Sequence, residues 1–227
     1  MTPIAPVSIS NAIGRCRIKI CGITNQADAE LATEAGADLL GFIFYPKSPR
    51  RATLEAARES VLAARLVNPL IICIGVFVNE APDALENIRA HAGLDAVQLH
   101  GDEKVEVVRS FGGAAYKAIK RIDVSTDEYI QTRRGHMGAD QLPDLMLDAD
   151  HPTLFGGSGA RADESLARRL ANRCNLLLAG GLNADNVADV VRLVRPWGVD
   201  VASGTERLPG LKDPGAVRAF IAAVRQV

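Results

Sequence analysis

The sequence predicts one α/β domain closed as a single (β/α)8 barrel, and three observations carry that prediction. Short apolar runs alternate with amphipathic stretches from Ile18 to the C-terminus. The runs are continuously apolar rather than alternating, as parallel strands buried on both faces require. Eight of them recur at intervals of about 25 residues, the size of a βα unit. A chain of 227 residues is filled by one such barrel. An open doubly wound sheet needs fewer strands and usually a glycine-rich loop after the first; here the glycine-rich turns follow the sixth, seventh and eighth.

Taken in order, the first strand covers 17–22, and a helix over 25–35 follows with Asn25 as its cap. The second strand covers 38–44, and no helix is assigned between it and the third, over 70–78. A helix over 81–92 leads to the fourth strand, 96–100, and a helix over 102–110 to the fifth, 115–119. Residues 124–134 read as a helix and 135–141 as a loop before the sixth strand, 145–149. Helices over 162–171 and 184–193 flank the seventh strand, 176–180; the eighth covers 199–203, and a helix over 214–224 closes the chain. Residues 1–14, with Pro3 and Pro6, read as a lead-in with no fixed structure, and 15–227 as the barrel.

Composition narrows the partners. A net charge of -1 offers no attraction to nucleic acid or an anionic membrane. The longest apolar run, from Leu70 to Val78, is only strand length, so no segment spans a bilayer. The lead-in lacks the early basic residues and apolar core of a secretory signal. Cys16, Cys21, Cys73 and Cys174 form no CxxC and no metal-ligand spacing. They read as free thiols of a reduced, cytoplasmic protein that is a monomer or a homodimer. No metal is assigned.

Barrel chemistry sits where strands end and βα loops begin. The polar residues there are Lys19, Cys21, Lys47, Arg50, Asn79, Gln98, His100, Lys117, Asp148, Asp200 and Ser203. Three glycine-rich turns join them: Gly156-Gly157-Ser158-Gly159, Gly180-Gly181 and Ser203-Gly204. Turns after strands seven and eight commonly bind phosphate through backbone N–H groups at helix starts, although tight turns alone also call for glycine. Cys21 precedes a helix start, where a thiol's pKa is lowered and the group serves as base or nucleophile; the competing reading is an inert buried cysteine. Asp148 ends an apolar strand, and burial fits a carboxylic acid for proton donation; the alternative is a salt-bridged or capping residue. His100 reads as a base, a ligand or a satisfied structural histidine. Cys73 and Cys174 read as packing.

The same residues carry a family resemblance. Arg17-Ile18-Lys19-Ile20-Cys21-Gly22-Ile23-Thr24 resembles the opening of phosphoribosylanthranilate isomerase, an enzyme of tryptophan biosynthesis. Similar blocks follow in order: Gly41 to Arg50, Gly75 to Asn79, Val97 to Gly101, Leu147 to Ala149, Gly156 to Gly159, Ala179 to Asn183 and Val199 to Gly204. The resemblance implies a cofactor-free Amadori rearrangement of a phosphorylated sugar–anthranilate adduct. By motif, Cys21 matches the general base and Asp148 the general acid. Arg50 matches the group facing the anthranilate carboxylate, and Asp200 a carboxylate contacting substrate. Gln98 and His100 read as further substrate-binding residues. Gly157, Gly180, Gly181, Ser203 and Gly204 read as the phosphate site. The chain departs from the family after Gly159. Where the family runs through Lys to Phe-Asp-Trp, it reads Ala160-Arg161-Ala162-Asp163-Glu164, which changes the packing open to substrate. Two other readings remain: a paralogue acting on another aminoaldose phosphate, and a non-catalytic phosphate-ligand-binding protein.

Overall fold

The computed structural model describes residues 14–133, 136, 140–148 and 160–227, with the backbone alone over 160–164. The lead-in up to residue 13 and the glycine turn 156–159, Gly157 included, lie outside the described residues.

Eight strands close into a barrel in chain order: β1 (Arg17–Cys21), β2 (Leu39–Ile43), β3 (Ile72–Phe77), β4 (Ala96–Leu99), β5 (Ala115–Ile119), β6 (Leu145–Asp148), β7 (Leu176–Ala179) and β8 (Gly198–Val201). Every neighbouring pair is parallel, and β8 closes on β1 with Lys19 opposite Asp200. The continuous apolar runs have a double cause. Outward side chains such as Ile18, Ile20, Leu40, Phe42, Leu176 and Val199 pack under the helices. Inward ones, Leu39, Ile74, Ala96, Tyr116, Met146 and Leu177, fill the barrel. The interior thus serves as a packed floor, with the polar residues gathered above it toward the strand C-termini.

The helices follow the sequence reading, with instructive differences. α1 (Gln26–Ala35) is capped as expected, the Asn25 side chain accepting the Asp28 N–H at 2.9 Å. α2 (Leu54–Val67) is not in the sequence reading, although it is capped by Thr53 and buries Ala57, Val61 and Ala64 at helical spacing. Its periodicity is blurred because Leu62 and Leu66, on the other side, are 56% and 88% exposed. α3 (Pro82–Ala92) stands as read. α4 (Val105–Ser110) starts three residues late because 101–104 is a tied loop: the buried Glu103 carboxylate accepts the N–H groups of Asn79 and Gly101. α5 (Thr126–Arg133) and α6 (Ala160–Ala171) come next. α7 (Val187–Val194) also starts late, because the Asn183 side chain takes the N–H groups of Asp185 and Asn186 in a turn. α8 (Pro214–Arg225) is capped by Asp213.

Beyond β8 the structure departs from the reading more strongly. Residues Ser203–Thr205 form a 3-10 turn rather than the end of the strand. A short hairpin of β9 (Glu206–Leu208) and β10 (Leu211–Lys212) then folds back before α8. Strands of three and two residues carry too little pattern to be seen in sequence.

Candidate active site

Strand alternation decides which of the candidate residues meet. Lys19 points into the barrel, where its Nζ donates to Asp200 Oδ1 at 2.8 Å and Gln98 Oε1 at 2.9 Å. Cys21, two residues on, shares that face at the strand end, and Tyr116 donates to the same Gln98 oxygen at 2.8 Å. Gln98 Nε2 then meets His100 Nδ1 at 2.8 Å, and His100 Nε2 meets Asp148 Oδ2 at 3.1 Å. One hydrogen-bonded chain therefore runs from β8 and β1 through β4 to β6, ending at the Asp148 carboxyl on one side and at the Lys19–Asp200 pair, beside the Cys21 thiol, on the other. Cys21 and Asp148 belong to strands three apart around the barrel.

Burial and charge set the state of these groups. Burial alone would discharge Lys19, but the Asp200 carboxylate outweighs it and holds the ammonium charged. Burial pushes the Cys21 thiol above its ordinary range; the Asp200 charge adds to that, and Lys19 and Lys212 only partly offset it. The expectation of a lowered thiol pKa is thus overturned for the free protein, because Cys21 is only 5% exposed. The Asp148 side chain, at 28% exposure, is less buried than a strand-end reading suggests, and it opens toward solvent at the mouth.

The thiol and the ammonium converge over Gly41, the residue opposite Cys21 on β2. A Cβ at Gly41 would lie 2.7 Å from Cys21 Sγ and 3.1 Å from Lys19 Nζ. Gly41→Ala is therefore expected to lower stability by about 1–3 kcal/mol through overpacking. It should also cut turnover at least tenfold by displacing the thiol. Urea unfolding and steady-state kinetics check both, and unchanged kinetics would show that the thiol's position is unimportant.

Arg50 sits above β1, its Cδ 3.0 Å from where a Cβ of Gly22 would stand; Gly22 takes φ 81°. Its Nε and Nη2 are spent on Glu206, at 2.9 and 2.8 Å. Glu206 also accepts from Lys212 Nζ and the Gly210 N–H, both at 3.2 Å. Burial would raise the Glu206 pKa, but Arg50 and Lys212 hold it below the usual carboxylate range. Lys212 is buried and ties the hairpin to the barrel through the Cys21 and Ala202 carbonyls, at 2.7 and 3.1 Å. Burial, only partly offset by Glu206, lowers its pKa. Glu206, Lys212 and Tyr116 are absent from the sequence reading. Nothing in a single sequence marks a lysine two residues after a glycine turn as buried.

Three candidates lie apart from this network. Lys117 points away from the barrel interior, where its Nζ meets the Leu99, Gly101 and Ala118 carbonyls and Glu103. Asn79 is exposed in a left-handed turn and holds the Asp102 N–H at 2.7 Å. Lys47 is exposed on the loop after β2. Gly180 and Gly181 take φ 104° and 61°, backbone conformations that favour glycine. A Cβ on Gly204 would overlap the Leu182 carbonyl, so the turns after β7 and β8 are packed against each other. Ser203 and Gly181 are exposed there, and the first turn at 203–205 leaves N–H groups without an intrahelical partner. Among the described residues no cluster of three or more His, Cys, Asp or Glu is placed to hold a metal ion. Among them, too, no helix is long and apolar enough to cross a membrane.

A parallel barrel with a thiol and a carboxyl at opposite ends of one polar network at its mouth, and paired glycine turns after β7 and β8, has the layout of a barrel enzyme. Residues 18–223 match the family model for N-(5'-phosphoribosyl)anthranilate (PRA) isomerase. An N-(5'-phosphoribosyl)anthranilate isomerase of Myxococcus xanthus is 46% identical over 213 residues, covering 93% of this chain and 97% of that protein. The crystal structure of phosphoribosyl anthranilate isomerase from Thermotoga maritima is similar at a TM-score of 0.76 and 37% identity, covering 93% of this chain and 100% of that one. Another isomerase structure, in complex with reduced 1-(o-carboxyphenylamino)-1-deoxyribulose 5-phosphate, is similar at 0.76 and 35%, with the same coverage. The chain belongs to the N-(5'-phosphoribosyl)anthranilate isomerase family.

Proposed function

We propose that this chain isomerises N-(5'-phosphoribosyl)anthranilate to 1-(2-carboxyphenylamino)-1-deoxyribulose 5-phosphate by general acid–base catalysis at the barrel mouth. Asp148 gives its proton to the furanose ring oxygen, and the ring opens to a Schiff base. The iminium acidifies the proton on C2, and the Cys21 thiolate removes it. The resulting enolamine tautomerises to the ketone. The observation that carries the reading is the convergence of Cys21 and Asp148 on one interior network from separate strands.

Substrate-holding groups surround that pair. Asp200 spends Oδ1 on Lys19, which leaves Oδ2 for a sugar hydroxyl. The N–H groups around Gly181 and Ser203–Gly204 hold the phosphate, with the Gly180 turn shaping the approach. Arg50, its inner edge fixed by Glu206, turns its outer edge to the anthranilate carboxylate. None of the four cysteines is paired in a disulfide, in keeping with a reducing cytoplasm.

The test of the activity is growth: the gene should restore an isomerase-deficient tryptophan auxotroph, and failure to do so with the protein expressed would remove the reading. Arg50→Ala is expected to raise KM about tenfold to hundredfold, the equivalent of losing about 1.5–3 kcal/mol of charge-assisted hydrogen bonding, and to change kcat much less. A kcat loss with KM unchanged would place Arg50 in the chemistry instead of in binding.

A further inference from the structure

The donor and acceptor directions of the interior chain are fixed by its chemistry. A lysine ammonium has only donors, so the Gln98 atom facing Lys19 is the carbonyl oxygen. Tyr116 OH meets the same oxygen. The other end of the Gln98 side chain is therefore its NH2, a donor, and the His100 Nδ1 facing it at 2.8 Å must be an unprotonated acceptor. A neutral ring then carries its proton on Nε2, which points at Asp148 Oδ2 3.1 Å away. Gln98 is 1% exposed, so no solvent competes for either end of the amide. A glutamate in its place would offer acceptors at both ends and call for the opposite ring.

We infer that Gln98 is a positioning residue that fixes His100 as the Nε2–H tautomer, so that His100 orients Asp148 and presents its Oδ1 to the substrate. This rests on the reading of Asp148 as the acid. It moves Gln98 and His100 from substrate binding to the support of the carboxyl. The titratable and charged groups around the ring are Asp148 from β6, Lys19 and Cys21 from β1, Tyr116 from β5 and Asp200 from β8. Lys19 and Asp200 neutralise each other as an ion pair, so the two direct neighbours of the ring, the Gln98 amide at Nδ1 and the Asp148 carboxyl at Nε2, decide where its proton sits, and both favour Nε2–H.

The experiment is nitrogen NMR of the full-length protein labelled with 15N at its four histidines, with His100→Asn used to assign the ring. In the wild type, His100 should show a protonated Nε2 and a bare Nδ1 at pH 8. A protonated Nδ1, or an imidazolium persisting at that pH, overturns the inference. Gln98→Glu should move the proton onto Nδ1 and lower kcat about tenfold to hundredfold with KM within about twofold. A folded Gln98→Glu with the wild-type ring signature overturns it as well. Should that variant fail to fold, His100 replacements give the same reading. His100→Gln keeps an N–H for Asp148 and should stay within about tenfold of wild-type kcat, whereas His100→Ala should lose about a hundredfold. Equal rates for the two would leave the ring with no orienting role. Failure of the underlying acid reading looks different: Asp148→Asn would turn over normally while the ring signature stayed as inferred.

Discussion

Cys21→Ser is expected to cut turnover of N-(5'-phosphoribosyl)anthranilate at least a hundredfold. A hydroxyl in the same place is a far weaker base than a thiolate, and general acid–base groups are typically worth about 10² to 10⁴. The shape of the site survives the change, because Lys19, Gly41 and Asp200 are untouched, so KM should change little. The raised thiol pKa gives the substitution a second signature. Burial keeps the resting Cys21 protonated at neutral pH, with Lys19 and Lys212 working against that, so the thiolate fraction grows as pH rises. The wild-type kcat/KM profile should therefore contain an ionisation above neutrality in which activity falls as pH is lowered, and Cys21→Ser should lack it. Cys73→Ser is the control. That thiol faces the helices, buried with its pKa pushed up to about 12, and its loss should cost stability without touching the profile. Loss of the substrate's fluorescence follows the reaction, and near wild-type rates in Cys21→Ser would take the thiol out of the mechanism.

How much of this was legible without coordinates depends on the scale of the feature. The eight strands were readable because each is apolar on both faces, a property of the strand alone. The direction of a single strand residue was not. Lys19 and Lys117 look alike in sequence, each a lysine inside an apolar run, yet Lys19 enters the barrel and Lys117 lies outside it. The difference is parity against a face that only closure of the sheet defines. Arg50 was readable as a candidate because it follows a strand end. Its partner Glu206 lies 156 residues away on a hairpin too short to leave a pattern, so the fixing of its inner edge was not readable. The Cys21 microenvironment failed for the same reason: its helix start is local, whereas the burial that dominates its pKa comes from the whole barrel.

Asp148→Asn is expected to lose at least a hundredfold in kcat, and it is the sharper of the two tests because the replacement keeps almost everything else. An asparagine has the same shape, and its side-chain oxygen still accepts the His100 N–H that Asp148 Oδ2 accepts at 3.1 Å. Position and packing are therefore retained, and the group removed is the acidic proton. An amide N–H can donate a hydrogen bond to the ring oxygen but cannot transfer its proton there, so the ring must open without acid assistance. Substrate binding should be nearly unchanged, since the replacement keeps the shape of the side chain and leaves Arg50 and the glycine turns after β7 and β8 in place. A large loss of kcat at constant KM would thus isolate proton donation from orientation, which His100→Ala perturbs instead. If Asp148→Asn turned over at the wild-type rate, water at the half-exposed mouth would have to be the proton source. Asp148 would then be one more hydrogen-bond acceptor at the end of the Lys19–Gln98–His100 chain.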